Sequence, residues 1–195
     1  AKNNPDKNVI FLAVGFETTT PATAIAIDTA MKQGIRNFFI MSAHKKTVAA
    51  MTALLREKNH KIDAFLCPGH VSVITGSSAF SEIVENFNMP CVVAGFEPIQ
   101  ILQGLDEIVH QIRSGSAKLK NVYSAVVSSE GNKKAMELID RYFKLESGWW
   151  RGIGKVEKSA FNLKKEFSSF DAVKKFNLST TVSHQPSTCR CGDVL

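Results

Sequence analysis

Two apolar runs in this chain, Val9–Val14 and Cys91–Ala94, end in the same tripeptide, Gly-Phe-Glu, and pass directly into a segment opened by proline. The first continues as Gly15-Phe16-Glu17-Thr18-Thr19-Thr20-Pro21, the second as Gly95-Phe96-Glu97-Pro98. Between them, Phe65-Leu66-Cys67 runs into Pro68-Gly69-His70-Val71-Ser72. A continuous apolar run marks a strand buried on both faces of a parallel sheet. Proline is favoured in the first turn of a helix. Strand-to-helix turns of a parallel sheet gather along one edge, where open α/β folds place their binding crevices. The spacing therefore predicts an α/β fold that carries its chemistry on these turns.

The rest of the chain keeps the alternation. Residues 8–14 are the first strand, and Thr20 is a candidate cap for a helix reaching Gln33, with Ala22, Ile25, Ala26, Thr29 and Ala30 on one stripe. A strand over 37–42 leads to a helix near 45–58 with Val48, Met51 and Leu55 at helical spacing, and 62–67 form a third strand. Phe80, Ile83, Val84 and Phe87 mark an amphipathic helix, followed by a strand over 91–94. The longest helix is expected to bury Ile101, Leu105, Ile108 and Ile112 and to stop at Gly115. A fifth strand is expected over 122–127, then a helix with Ala135, Leu138, Ile139 and Tyr142. Right-handed crossovers between such strands imply one parallel sheet. The expected fold is a three-layer α/β domain over residues 1–147, an open, mainly parallel sheet with helices on both faces. Residues 148–177 read as a packing extension with short antiparallel strands over 149–156 and 160–167 and a helix over 170–176. Residues 178–195 read as a linker.

Bulk properties narrow the function classes. With 195 residues, 44% of them hydrophobic, the composition is that of a soluble globular domain. No apolar run approaches the ~20 residues that span a bilayer, and no signal peptide is visible, so a cytoplasmic location without membrane attachment is expected. The net charge of +6 rests largely on lysines of the last third, without an arginine-rich block or stacked-aromatic motif. A solvated lysine face explains this, and no nucleic-acid partner is expected.

Candidate chemistry lies on the turns. Glu17 and Glu97 follow separate strands; paired carboxylates can bind a cation, but each can also satisfy helix N-terminal N–H groups. The structural role is the favoured one. Thr18, Thr19 and Thr20 could cradle an anion, though the glycine spacing and lysine of a P-loop are missing. Cys67 and His70 could form a nucleophile pair, making the chain a hydrolase or transferase; His70 as a hydrogen bonder that fixes its turn is the favoured role. His44 sits at another strand end. Trp149, Trp150 and Arg151 suit core closure or a partner surface. Cys189 and Cys191 are paired near the end of the sequence, as metal or redox cysteines often are.

Taken in order, Gly15-Phe-Glu-Thr-Thr-Thr-Pro21, Cys67-Pro-Gly-His-Val-Ser72 with Gly76, Val93-Ala-Gly-Phe-Glu-Pro98 with Ile101-Leu-Gln-Gly104, Trp150-Arg-Gly-Ile-Gly154, Phe170-Asp-Ala172 and Cys191-Gly-Asp-Val-Leu195 closely resemble the HypD family of [NiFe]-hydrogenase maturation factors. The resemblance implies a cytoplasmic iron–sulfur scaffold working with a HypC-like chaperone and a HypE-like cyanide donor. On it an iron ion would acquire its cyanide and carbon monoxide ligands as Fe(CN)₂CO. It implies one iron and a [4Fe–4S] cluster in a full-length protein, with neither expected on this chain alone. The family's Cys-Gly-Thr-His-Thr and Cys-Pro-Val-Cys motifs are absent, so the chain corresponds to a central portion, with 178–195 the start of a truncated iron–sulfur domain. Cys191 matches one cluster ligand. Gly15, Glu17, Thr18, Thr19, Pro68, Gly69, His70, Ser72, Gly95 and Glu97 match motifs that line the family's cleft. Relatives can carry alanine at the position of Cys67.

Overall fold

Seven strands and seven α-helices follow one another among residues 1–179, which together with Arg190 are the residues the computed structural model describes. The α/β class expected from the sequence is what the chain adopts, with helices alternating with mostly parallel strands. Two compact units result: one unites Ala1–Thr47 with the described residues from Glu137 onward, and the other is Val48–Met136.

In the first unit β1 (Val9–Gly15) and β2 (Phe38–His44) pair in parallel, with Gly15 opposite His44, and α1 (Thr20–Lys32) connects them. The buried side of α1 is Thr20, Thr23, Ala24, Ile27 and Ala30, not the stripe expected from apolarity. Ile25 is half exposed. Polar anchors set the roll of this helix: Thr23 hydrogen-bonds His44, and Asp28 accepts from the Tyr142 hydroxyl at 2.8 Å. Helix α6 (Lys133–Tyr142) leads into an antiparallel hairpin of β6 (Phe143–Trp150) and β7 (Gly154–Leu163). Its turn, at Arg151–Ile153, interrupts the strand expected over 149–156. Strand β7 lies along β2 through the Lys45–Ala160 bridge and a hydrogen bond from Lys46 N–H to Ser159 O at 2.8 Å. A short 3₁₀ segment, Lys165–Phe170, and α7 (Ala172–Lys175) follow. Asp171 caps α7, and Phe176 packs edge-on against Phe39 at 5.0 Å.

The second unit holds β3 (Phe65–Pro68), β4 (Cys91–Ala94) and β5 (Leu119–Asn121), parallel and in that order. The single sheet expected from the alternation is thus divided. Ile40 of β2 instead bridges Asp171, and Lys45, just past β2, bridges Ala160 of β7. The core of this unit gathers Val48, Met51 and Leu55 of α2 (Thr47–Arg56) with Phe80, Ile83 and Val93. Here the faces of α2 and α4 (Ser81–Phe87) are the ones the spacing predicts. Each such fully buried apolar side chain contributes about 1.5–3 kcal/mol.

Two expectations fail in this unit. The strand predicted over 122–127 is instead a turn, and β5 lies just before it. Asn121 bends the chain there: its Oδ1 accepts from Tyr123 N–H at 2.9 Å and its Nδ2 donates to Val127 O at 2.8 Å. Helix α5 (Pro98–Ser114) buries Gly104 and Gln111, while Leu105 and Ile112 are exposed. A Cβ on Gly104 would stand 2.5 Å from Leu66 Cδ1, so the helix docks through its glycine, where the backbone approaches most closely. Among the described residues no helix is long and apolar enough to cross a membrane.

Candidate functional site

The parallel pairing of each sheet brings neighbouring turns together, and each unit carries its own set. In the first, the turn after β1 adjoins the turn after β2 because Gly15 and His44 share a register position. The Gly15 carbonyl accepts from Lys45 N–H at 2.9 Å. Glu17 is buried, and its carboxylate accepts from the Thr47 N–H and hydroxyl, each at 2.8 Å. It holds the amide that opens α2, which is the structural role favoured from the sequence. Thr19 and Thr20 both turn their hydroxyls back onto Phe16 O, at 3.1 and 3.0 Å. Those hydroxyls fasten the turn, which leaves the anion cradle without them.

His44 is buried behind this turn. Its Nε2 lies 2.9 Å from the Thr23 hydroxyl and its Nδ1 3.4 Å from that of Thr19, with Phe143 edge-on to the ring. Burial lowers its pKa, partly opposed by the Gly15 carbonyl, so the imidazole is held toward its neutral form. Lys45, half-buried, has its amine 5.9 Å from the ring centre of Trp150, and burial lowers its pKa as well. Trp150 also touches Phe16 and donates from Nε1 to Ser159 Oγ at 2.9 Å. It therefore closes the base of the Gly15–Thr19 turn, while Trp149 is exposed.

In the second unit the turns after β3 and β4 are neighbours because Pro68 pairs with Ala94. Gly69 and Gly95 both face Tyr123, whose ring a Cβ on either would meet. Ser72 donates to Pro68 O at 3.0 Å. That bond fixes the turn in place of His70, which is exposed and stacks on Phe96 with ring centres 4.9 Å apart. Glu97 starts α5 in a capping box with Gln100, whose Oε1 accepts from Glu97 N–H at 3.2 Å. Pro68, Gly69, His70, Ser72, Gly95 and Glu97 thus lie on two neighbouring turns, with His70 and Glu97 exposed and Gly69, Ser72 and Gly95 buried, while Gly15, Glu17, Thr18 and Thr19 belong to the other unit.

Cys67 is not a nucleophile. It is buried in the core cluster beside Cys91, with Phe65 O as a distant acceptor at 3.9 Å. The Cys91 thiol and burial push its pKa far up, so it stays a protonated thiol, and the Cys67–His70 reading loses its reactive atom. Among the described residues no three His, Cys, Asp or Glu side chains gather as a metal site. Cys189 and Cys191 lie outside the described residues. Sequence reasoning missed Thr23, Thr47 and Tyr123, which hold His44, Glu17 and the paired glycines. Each lies far along the chain from its partner, and no local pattern marks it. A further cavity, of about 300 Å³, is lined by Ser42, Lys144, Glu146, Asn162, Asp171 and Lys174, of which only Asp171 falls in one of the quoted motifs.

All of the chain, residues 1–195, matches the family model described as "HypD: Hydrogenase formation hypA family". The chain is 39% identical over 201 residues to the hydrogenase expression/formation protein HupD of Azotobacter chroococcum, and 39% identical over 201 residues to the hydrogenase maturation factor HypD of Azotobacter vinelandii. It is 37% identical over 196 residues to the hydrogenase maturation factor HypD of Escherichia coli. All of this chain is covered in each case, against 53%, 53% and 52% of the respective relatives. The chain spans about half the length of the curated relatives it matches.

Proposed function

Because this chain belongs to the HypD hydrogenase-formation family, we propose that it forms part of a cytoplasmic scaffold on which the iron group of [NiFe]-hydrogenase is assembled. The iron, carrying cyanide and carbon monoxide as Fe(CN)₂CO, is the cargo. A HypC-like chaperone and a HypE-like cyanide donor are the partners. The observation that carries this reading is the family match along the entire chain. The geometry supports it in a second way. The motif-bearing turns are rigidly fixed by backbone and capping contacts, yet contain no activated nucleophile, as suits a binding scaffold better than a hydrolase.

The described residues supply no ligand set for a [4Fe–4S] cluster. Any ligation of one by this chain would start from Cys191. What the described residues offer is shape and polar surface. In the second unit His70 and Glu97 are exposed beside two buried glycines, whose missing side chains let Tyr123 and Gln100 pack tightly against the turns. In the first, Thr18 and Thr19 border a turn held by Glu17, His44 and Trp150. These are the side chains assigned to face the iron-bearing part of the full-length protein.

The test uses the full-length Azotobacter vinelandii relative with substitutions at the positions matching His70 and Glu97. His70→Ala removes an exposed ring with no hydrogen-bond partner among the described residues. Glu97→Ser keeps a capping box with Gln100 while removing the carboxylate. Both are expected to fold with unchanged thermal midpoints and to lower hydrogenase maturation at least about tenfold, with loss of the infrared bands of iron-bound cyanide and carbon monoxide. Full maturation by both variants would remove these turns from the assembly site.

A further inference from the structure

Among the described strands β1 carries the longest unbroken apolar run, and it is also one of the least covered. Val9-Ile-Phe-Leu-Ala-Val is an unbroken apolar run, the pattern of a strand buried on both faces. Yet Ile10 is 41% exposed, Phe11 46%, Leu12 64% and Val14 70%. Successive residues of a strand point to opposite faces, so the face with Ile10, Leu12 and Val14 is open along its length, and the other is open at Phe11 beside the fully buried Ala13. Among the described residues β1 pairs with β2 alone, leaving its other edge without a partner. That edge carries no proline, lysine or bulge of the kind that blocks edge-to-edge pairing.

We propose that β1 is an interior strand of a larger sheet, its free edge taken by a strand from the part of a longer HypD polypeptide that lies outside these 195 residues. The proposal rests on family membership and not on the maturation role. The relatives carry about as much polypeptide again beyond the half that matches, enough for further strand–helix units. The backbone of an open edge specifies its occupant, since only another strand supplies alternating N–H and C=O groups along its whole length. A second copy of this chain fits less well. Pairing two β1 edges would satisfy the backbone but leave Phe11 and Leu12 of both copies uncovered. A strand that arrives with its own connecting helix covers the edge and a face together.

Hydrogen exchange read by mass spectrometry tests this on two proteins. One is the 195-residue chain, and the other is the full-length Azotobacter vinelandii relative. In this chain about half of the β1 amides, those pointing to the free edge, should exchange within seconds while the chain is monomeric. In the matching segment of the relative the same amides should be slowed at least about a hundredfold. Equally fast exchange in the relative overturns the proposal, as does slow exchange in the monomeric chain. Protection that rises with concentration, together with a dimer by light scattering, would also overturn it by making the occupant a second copy. Leu12→Lys gives an independent reading. It should shift the thermal midpoint of this chain by less than about 2 °C and that of the relative, at the matching position, by several-fold more. Equal shifts in both would count against the proposal.

Discussion

Both carboxylate oxygens of Glu17 are spent on one residue, Thr47, which lies thirty positions further along the chain. One oxygen accepts from the backbone N–H and the other from the hydroxyl, each at 2.8 Å, in a setting that leaves Glu17 only 3% exposed. Truncation would leave the two half-buried donors of Thr47 without their acceptor. Glu17→Ala should therefore cost about 2–3 kcal/mol of unfolding free energy, and Glu17→Gln, which keeps one acceptor, about 1 kcal/mol. Urea denaturation of the two variants beside the parent checks the order. An alanine variant as stable as the parent would mean that the carboxylate is not structural, and would reopen the possibility that it binds a cation.

His44 makes stability depend on pH in a defined direction. Burial holds its folded pKa below the ordinary 6.5, so between those two values the unfolded chain binds a proton that the folded chain does not. Stability should rise with pH across that window and fall as pH drops through about 6.5 toward the folded value. His44→Gln removes the titrating group and should flatten this part of the profile. Denaturant midpoints taken between pH 5 and pH 8 for both proteins would show it; identical slopes would place the pH dependence elsewhere.

The sequence made the α/β class readable because apolar runs and helical spacing alternate so regularly, and the packing of α2 and α4 followed directly from that spacing. It misled where one residue outweighed the pattern. Gly104 lets α5 dock by close approach, so Leu105 and Ile112 face outward despite their apolarity. Asn121 ends β5 with its own side chain, turning an apolar stretch into a loop. The turn motifs could be located from sequence, since strand ends and prolines bracket them. Their partners could not: Thr47, Thr23 and Tyr123 reach the turns through tertiary folding, and a helix face or strand end does not announce which distant residue it will meet.

Cys67 and Cys91 sit on adjacent parallel strands within one apolar cluster. The neighbouring thiol and burial keep Cys67 protonated well above the usual range. Iodoacetamide at pH 8 should leave both unmodified in the folded chain and alkylate both once urea is added, as peptide mapping would reveal. Cys67→Ala should cost about 1 kcal/mol of stability and leave the maturation activity of a full-length relative unchanged at the matching position. Rapid native alkylation of Cys67, or loss of activity without loss of stability, would restore the thiol as a reactive group.

Gly76 and Gly131 mark a crossing of two backbones inside the second unit. Gly76 has φ +80° and Gly131 φ +67°, and a Cβ on Gly76 would collide with Ser129 O and with the backbone of Glu130 and Gly131. The crossing is stitched by Ser77 N–H to Ser128 O at 3.1 Å, Ser78 N–H to Ser129 O at 3.2 Å and Asn132 N–H to Ile74 O at 2.9 Å. No flexible side chain is available to yield, so Gly76→Ala combines an unfavourable φ with a backbone clash and should cost about 2–4 kcal/mol. Gly34 provides the control, since it has φ +64° and nothing within 4 Å of its missing Cβ. Gly34→Ala meets only the conformational penalty and should cost about 1 kcal/mol. Thermal unfolding of the two variants separates the contributions, and equal losses would mean that the crossing adds nothing beyond the dihedral strain.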